Sequence, residues 1–409
     1  MAQARTGSKH PQQKQIGVGG VTISERAKAL VMEVLDTGRL SAGPMMARFE
    51  SEISSIHGCQ YGLMCNSGTS ALQIALAALK ERYGWQDGDE VLVPALTFIA
   101  TSNIVLYNGL TPVFVDVEQE FYDIDPLKIE EKITPRTRAI IPVHIAGLPC
   151  DMTPILDIAQ RHNLRIIEDS CEAMFVHYKG RPVGSFGDIG CFSTYIAHVI
   201  TTGVGGLCTT NDRELLVCLK SLMNHGRDSI YIRIDDDQGA KGSGLFQIAN
   251  SRFSFIRLGH SFRCTEMEAA IGLGQIEDQK SCMARREEIA NRLTQGLMPY
   301  RHYLQLPRAR QGAEHGFMFY PLAITDLTVN RDELILFLEE RGIETRYLLP
   351  LINQPVYRKL FGNLDVQYPV AAWLNRNAFY IGCHPELSDQ DVEYMIEQFT
   401  QFFGGRHES

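Results

Sequence analysis

The segment Leu164-Arg165-Ile166-Ile167-Glu168-Asp169 (residues 164–169) is an apolar run that ends in two carboxylates. A short apolar run of this kind predicts a strand that is buried on both faces. Similar runs recur along the chain with helical stretches between them: Gly62–Cys65, Glu90–Pro94, Pro112–Val117, Ala139–Val143, Gly190–Thr194 and Gly206–Thr210. Buried strands joined by helices predict an α/β fold, in which a mainly parallel sheet lies in an α/β/α sandwich.

The pattern of apolar residues changes beyond residue 298. Capping residues open two predicted helices, Asn330–Arg341 and Ser388–Phe403, and a strand-like run, Phe317–Ile324, precedes both of them. This spacing predicts a smaller α+β domain. We therefore expect a large domain over residues 21–298 and a small C-terminal domain over residues 299–409.

Two segments lack the pattern of buried elements. Residues 1–20 are polar and have no apolar core, which predicts a flexible N-terminal tail rather than a signal peptide. The stretch Gly226–Gly259 is rich in Gly, Ser and Asp and predicts a long loop. Loops of this length in compact enzymes are usually functional or disordered.

The composition excludes several classes of function. A net charge of −9 argues against a nucleic-acid surface, which needs clustered Lys and Arg. No apolar run reaches the roughly eighteen residues of a membrane-spanning helix. The ten cysteines include no C-x-x-C or C-x-C pair, and several lie in apolar runs. We therefore expect buried, reduced thiols in a cytoplasmic protein, and no metal site.

Three features at predicted strand ends point to a cofactor site. The turn Asn66–Ser70 precedes a helix, whose first N–H groups can bind a phosphate. Asp169 ends a buried strand, where a carboxylate can hold a pyridine nitrogen protonated, and Phe98 can stack on a flat ring. Each feature alone also has a simpler interpretation: a plain helix cap, an exposed acidic strand end and a packed core residue.

The order of the motifs is more specific than any one of them. Residues 66–206 contain, in sequence, N-S-G-T, P-x-x-T-F, P-V-H-x-x-G, E-D, G-D-x-x-x-F-S and T-T-G-x-G-G. In this order the chain resembles the DegT/DnrJ/EryC1/StrS family of sugar aminotransferases over Thr22–Phe403. The resemblance implies a fold-type I transferase that depends on pyridoxal 5′-phosphate. It also implies a homodimer with active sites at the subunit interface.

The resemblance further implies which residues contact the cofactor. Gly68 and Thr69 match family residues that bind the phosphate, and Ser193 matches a further phosphate ligand. Phe98 matches the aromatic residue that stacks on the ring, and Asp169 matches the partner of the pyridine nitrogen.

One family contact to the phosphate is altered in this chain. An asparagine from the neighbouring subunit makes that contact in the family, and Ser261 stands in its place here.

The lysine of the family's aminotransferases is replaced by a histidine. In those enzymes the segment after F-S carries the lysine that forms a Schiff base with the cofactor, and here that position is His198. The nearby Lys179 lies in a polar turn that we expect to be exposed. Imidazole forms no stable Schiff base, but its unperturbed pKa of about 6.5 suits proton transfer near neutral pH. We therefore expect a non-covalently held cofactor that rests as pyridoxamine 5′-phosphate.

A histidine at this position is similar to one branch of the family. That branch contains the dehydratases that remove the C3 hydroxyl of nucleotide-linked 4-keto-6-deoxy sugars, as in colitose formation. Glu172 stands where the aminotransferases usually have Gln or His, and Tyr195 precedes His198 by three residues, which agrees with this branch. Some members carry an iron–sulfur cluster on cysteines after G-R-D. Here no cysteine follows residues 226–228 until Cys264, so we expect no cluster.

The expected reaction is C3 deoxygenation of a nucleotide-linked 4-keto-6-deoxy sugar. His198, Tyr195 and Asp169 are the expected catalytic residues, and L-glutamate is the expected amino donor that restores the cofactor. One alternative is a nucleotide-sugar aminotransferase that works without the lysine. Another is a non-catalytic cofactor-binding paralogue, in which His198 is only a packed side chain.

Overall fold

The computed structural model describes residues 15–228, 239–251 and 253–404. In this part of the chain the first nine strands are β1 Tyr61–Cys65, β2 Glu90–Pro94, β3 Thr111–Val115, β4 Thr137–Ile140, β5 Arg165–Asp169, β6 His177–Tyr178, β7 Arg181–Pro182, β8 Ile189–Ser193 and β9 Gly206–Thr210. The short strands β6 and β7 pair with each other. The other seven form one sheet in the order β1-β9-β8-β5-β4-β2-β3.

This seven-stranded sheet is mainly parallel. The pairs β8–β5, β5–β4, β4–β2 and β2–β3 are parallel, whereas β9 runs antiparallel to both β1 and β8. Every residue of β2, β8 and β9 is buried, as expected for strands that are covered on both faces. The predicted α/β fold with a mainly parallel sheet is confirmed.

The helices of the described residues are α1 Glu25–Thr37, α2 Pro44–Ile56, α3 Gly68–Tyr83, α4 Ile99–Tyr107, α5 Met152–His162, α6 Arg213–Met223, α7 Gly242–Ser251, α8 Glu266–Glu277, α9 Gln279–Leu297, α10 Arg331–Glu339, α11 Pro355–Phe361, α12 Pro369–Asn377 and α13 Asp389–Gly404. Two predicted caps are confirmed, because the side-chain oxygens of Asn330 and Ser388 accept hydrogen bonds from N–H groups in the first turns of α10 and α13. In the part of the chain that the structure describes, no helix combines the length and the apolar character that crossing a bilayer requires.

Strands β8 and β9 form a hairpin whose connecting loop carries His198. Thr194 closes the base of this loop. Its N–H donates to the Gly205 carbonyl (3.0 Å), and its carbonyl accepts from the Thr202 N–H (2.9 Å). The hydroxyl oxygens of Thr194 and Thr202 are 2.6 Å apart. Both ends of the loop are therefore fixed at the carboxyl end of β8.

Four further strands form an antiparallel C-terminal sheet in the order β10-β11-β13-β12, with β10 Leu304–Gln305, β11 Phe319–Ile324, β12 Thr345–Tyr347 and β13 Ala378–Gly382. Its core includes the buried Ile289, Leu293 and Leu297 of α9. Because this helix precedes residue 299, the second core starts earlier in the chain than the predicted small domain. The division of the chain at residue 299 stays a prediction.

The predicted N-terminal tail is attached to the C-terminal sheet at Ile16. This side chain is buried, its N–H donates to the Gly342 carbonyl (2.7 Å), and its carbonyl accepts from the Glu344 N–H (2.9 Å). An isolated apolar residue in a polar segment gives no periodic pattern, which is why the sequence did not predict this pairing. Residues 1–14 of the predicted tail lie outside the described residues.

The predicted long loop Gly226–Gly259 contains helix α7. None of the residues of this helix is buried, so it has no apolar face packed on a core. Its large apolar residues Leu245 and Phe246 are exposed instead. Residues 229–238 and residue 252 of the predicted loop lie outside the described residues.

Candidate active site

The carboxyl end of β5 places Asp169 at the centre of the candidate site. Its buried side chain accepts a hydrogen bond from the Thr101 hydroxyl (2.7 Å) on Oδ2 and one from the Cys171 N–H (3.2 Å) on Oδ1. Burial raises the pKa of this carboxyl group, and the two hydrogen bonds oppose the rise. A cationic N–H donor would stabilise the charged form, so the site fits a protonated pyridine nitrogen.

Helix α3 begins in a turn that has no room for a side chain at its first residue. A Cβ atom on Gly68 would lie 2.7 Å from Cys171 Sγ and 2.8 Å from Ser193 Cβ. Ser67 caps the helix, and the first amides, those of Gly68 and Thr69, have no acceptor within the helix. These amides, the helix dipole and the neighbouring Ser193 hydroxyl form a cradle that fits a phosphate.

His198 is joined to this cluster through the backbone of Cys171. Its Nδ1 lies 2.6 Å from the Cys171 carbonyl oxygen. Because a carbonyl oxygen only accepts, Nδ1 carries the proton and Nε2 is left as a proton acceptor. Burial lowers the pKa of His198 to about 4; the Cys171 carbonyl raises it and the charge of Arg286 lowers it further. The imidazole is therefore neutral near pH 7, as a general base must be.

Glu172 carries a second perturbed carboxyl group. Its Oε2 accepts a hydrogen bond from the Ala146 N–H (2.8 Å), and burial raises the pKa of this group to about 8. Ala146 presents that N–H from a left-handed backbone conformation with φ of 58°. Near pH 7 the carboxyl group therefore holds a proton, which it can donate to an oxygen in the site.

The pH dependence of stability tests the state of Glu172. The folded protein binds this proton more tightly than the unfolded chain, so the contribution of Glu172 to the free energy of unfolding should fall as pH rises from about 4.5 to about 8. Urea unfolding of cofactor-free protein at about pH 5 and about pH 9 measures the fall. In Glu172→Gln the fall should be smaller, and in the control Glu33→Gln, on the exposed side of α1, it should match wild type. An equal fall in Glu172→Gln and wild type would contradict the assignment.

Two aromatic side chains of the predicted site are exposed. Phe98 is 57% exposed and lies one turn before Thr101 at the start of α4. Its alternative interpretation as a packed core residue is therefore wrong. Tyr195 is 51% exposed on the loop of His198, and its ring centroid lies 6.3 Å from that of the imidazole. Both rings are free to contact a bound molecule.

Ser261 lies beside the turn that opens α3, because the carbonyl of the next residue, Phe262, accepts from the Asn66 N–H (2.8 Å). It is exposed, its hydroxyl accepts from Arg263 Nη2 (2.9 Å), and it pairs with Asn224 in an isolated β-bridge. The family contact at this position comes from the neighbouring subunit, so the role of Ser261 stays a prediction.

Four residues of the site were not predicted from the sequence: Thr101, Ala146, Cys171 and Arg286. Cys171 lies between Asp169 and Glu172, so its position was marked, but the role of its carbonyl depends on the fold. Ala146 lies inside the P-V-H-x-x-G motif, and Thr101 lies one helical turn after Phe98. No sequence signal pointed to Arg286, which belongs to α9.

Residues 21–400 match the sequence model of the DegT/DnrJ/EryC1/StrS aminotransferase family. The chain belongs to the DegT/DnrJ/EryC1/StrS family. It is 34% identical to the GDP-perosamine synthase of Caulobacter vibrioides, over 95% of this chain and 98% of that protein. It is 32% identical to the dTDP-4-dehydro-2,6-dideoxy-D-glucose 3-dehydratase of Saccharopolyspora spinosa, over 94% of this chain and 85% of that protein.

A solved structure of this family supports the fold and the cofactor. The GDP-4-keto-6-deoxy-D-mannose-3-dehydratase of E. coli, with bound hydrated pyridoxal phosphate, matches with a TM-score of 0.84 at 25% identity, over 94% of this chain and 98% of that one. The predicted fold type I is confirmed. As an enzyme of the DegT/DnrJ/EryC1/StrS family, this chain depends on pyridoxal 5′-phosphate or its amine form. The cradle at Gly68 and the buried carboxyl group of Asp169 fit that cofactor.

Proposed function

We propose that this chain removes the C3 hydroxyl of a nucleotide-linked 4-keto-6-deoxy sugar, with pyridoxamine 5′-phosphate as cofactor and without an iron–sulfur cluster. The observation that carries the proposal is the state of His198 at the family's lysine position. Its Nδ1–H is held by the Cys171 carbonyl, which leaves Nε2 as a proton acceptor. A neutral imidazole at that position can move protons but cannot hold the cofactor covalently.

The residues around His198 supply a non-covalent site for the cofactor. The amides of Gly68 and Thr69 and the Ser193 hydroxyl would hold the phosphate, Asp169 the ring nitrogen, and Phe98 a face of the ring. When bound, the cofactor supplies an amine that condenses with a keto group and a ring that accepts electrons.

Side chains of this protein carry out the proton transfers. His198 Nε2 accepts a proton during the reaction and delivers it to the departing C3 oxygen of the sugar. Asp169 keeps a negative charge next to the ring nitrogen. Glu172 holds a proton that it donates to the phenolic oxygen, and the exposed Tyr195 borders the path between His198 and the sugar.

Family resemblance supports two further parts of the proposal. L-glutamate is the amino donor that restores the amine form of the cofactor. The enzyme is a homodimer in which Ser261 of one protomer contacts the site of the other. The relative from Saccharopolyspora spinosa and the solved structure from E. coli are both named as 3-dehydratases, which agrees with this proposal.

A second candidate function is nucleotide-sugar transamination. It is favoured by the relative from Caulobacter vibrioides, which is named as a GDP-perosamine synthase and is more similar to this chain (34% identity) than the 3-dehydratase relative (32% identity). In that case His198 returns its proton to C4 of the sugar and the nitrogen stays on the product.

The two functions differ in their products. Purified enzyme with pyridoxamine 5′-phosphate, glutamate and a panel of GDP- and dTDP-linked 4-keto-6-deoxyhexoses is analysed by mass spectrometry and by an ammonia assay. We expect a 3-deoxy-4-keto sugar and one ammonia for each sugar converted. An amino sugar that keeps its C3 oxygen would falsify the dehydratase proposal. Cofactor binding without any half-reaction toward glutamate would identify a non-catalytic paralogue.

The attachment of the cofactor gives an independent prediction. Because His198 cannot bind pyridoxal phosphate covalently, treatment with borohydride should leave the intact mass of the protein unchanged. The variant His198→Lys is the matched positive control, and it should gain the mass of one reduced cofactor. A cofactor adduct mapped to Lys179, which is exposed, or to any other lysine of the wild type would show that His198 is not at the family's lysine position.

A further inference from the structure

Helix α9 carries a buried arginine, Arg286, that has no carboxylate partner among the residues that the structure describes. Arg286 is 2% exposed and lies on the same face as Ile289, Ala290 and Leu293, which belong to the core of the C-terminal sheet. No ion pair within residues 15–228, 239–251 and 253–404 includes Arg286, and its Nε has no hydrogen-bond partner there. A cation away from water is costly unless other groups compensate it.

Four backbone carbonyls compensate the charge of Arg286. Nη1 donates to the carbonyl oxygens of Phe317 (3.0 Å), Met318 (2.9 Å) and Cys383 (2.7 Å), so three acceptors share two hydrogens. Nη2 lies 3.5 Å from the carbonyl oxygen of His198, the longest of the four contacts. Three of the carbonyls lie at the ends of β11 and β13, and the fourth belongs to the candidate catalytic residue itself.

We propose that Arg286 is a positioning residue for His198, which fastens the His198 loop to the C-terminal sheet and places a fixed positive charge behind the imidazole. This inference rests on the proposed function, because it assigns His198 a proton transfer that needs a fixed, neutral imidazole. Arg286 is 2% exposed, and among the described residues its guanidinium hydrogen-bonds only to backbone carbonyls, so we assign its effect to the His198 loop.

Several other charged or titratable groups lie around His198. A cavity of about 340 Å³ is lined by both His198 and Arg286, and its other charged or titratable residues are Asp278, Cys282, Arg285 and Glu386. On the other side, Asp169 and Glu172 flank Cys171, whose carbonyl binds the imidazole. Arg285 is paired with Glu288 and Asp389, so its charge is balanced, whereas that of Arg286 is not. The net effect of Arg286 is to disfavour a protonated imidazole and to lower its pKa, in the same direction as burial.

The test measures His198 directly by nuclear magnetic resonance. Protein labelled with ¹³C at the histidine Cε1 is titrated with acid, with and without pyridoxamine 5′-phosphate, and the His198 signal is identified by its loss in His198→Asn. Arg286→Met removes the charge at similar length, and we expect the His198 pKa to rise by about one unit. Arg286→Lys keeps the charge and should keep the low pKa. The matched control Arg285→Met should also leave the pKa unchanged.

The turnover rate with the sugar substrate distinguishes the effect of Arg286 on the position of His198 from the effect of its charge. Arg286→Lys cannot reach four carbonyls from one ammonium group, so we expect kcat to fall by about tenfold to a hundredfold with KM unchanged. A folded Arg286→Met protein whose His198 titrates as in wild type would overturn the proposal. Failure of both Arg286 variants to fold would also overturn it, because the residue would then serve stability alone. The titration needs no substrate, so its outcome is independent of which sugar reaction the enzyme performs.

Discussion

Replacing His198 with asparagine is expected to lower kcat for the nucleotide-linked sugar by about 10²- to 10⁴-fold, the usual effect of losing a general acid–base group. The asparagine amide can still donate to the Cys171 carbonyl, so the loop should keep its shape, but it cannot transfer a proton. The cofactor should still bind, because its expected contacts come from Gly68, Ser193 and Asp169. The measurements are steady-state kinetics and a spectroscopic titration with pyridoxamine 5′-phosphate.

The control for this variant is His162→Asn on α5, where the imidazole contacts Glu130 on the surface far along the chain from the site. It should turn over like wild type. If His198→Asn also turned over at a rate near that of wild type, His198 would be a packing residue and would have no role in proton transfer. Wild-type activity should fall on the acidic side as pH drops toward about 4, because protonation of His198 then removes its acceptor nitrogen.

Replacing Asp169 with asparagine is the second change with a large expected effect. The amide keeps the shape of the side chain and one acceptor for the Thr101 hydroxyl, but it removes the negative charge that faces the ring nitrogen. We expect kcat to fall by about 10²- to 10³-fold, as for the loss of other preorganised electrostatic contacts at a reacting group. Steady-state kinetics measure this loss. The absorption spectrum of the bound cofactor should change as well, because the ring nitrogen loses its proton.

Asp157→Asn is the matched control, since this exposed aspartate on α5 forms an ion pair with Arg161. The control should leave both kcat and the spectrum unchanged. An Asp169→Asn enzyme that keeps its rate and its spectrum would mean that the ring nitrogen is bound by another group. In that case Asp169 would not be the partner of the pyridine nitrogen, and the cofactor would bind in a different position at the ends of the strands.

The sequence predicted those parts of the molecule that repeat a local pattern. The apolar runs at residues 90–94, 164–169 and 190–194 predicted buried strands, and the structure has β2, β5 and β8 there with almost every residue buried. The residues at the strand ends, such as Asp169 and Ser193, followed from motif order.

The parts that the sequence did not predict depend on contacts between distant segments. Arg286 lies 88 positions after His198, and its three other acceptors belong to the C-terminal sheet. An arginine in a helix is normally predicted to be exposed. The carbonyl groups that allow Arg286 to be buried come together only in the folded chain. The Cys171 carbonyl is likewise a backbone atom, so no residue type could have marked its role.

The residues that hold the loop between β8 and β9 in place are different from the residue that is proposed to transfer protons. Thr194, Thr202 and Gly205 hold the two ends of the loop through backbone atoms and two hydroxyl groups, and none of these bonds involves the side chain at position 198. An exchange between lysine and histidine there leaves the frame of the loop intact. Under the proposed function, a single exchange of lysine for histidine at position 198 accounts for the change from a covalent to a non-covalent cofactor site within the same loop.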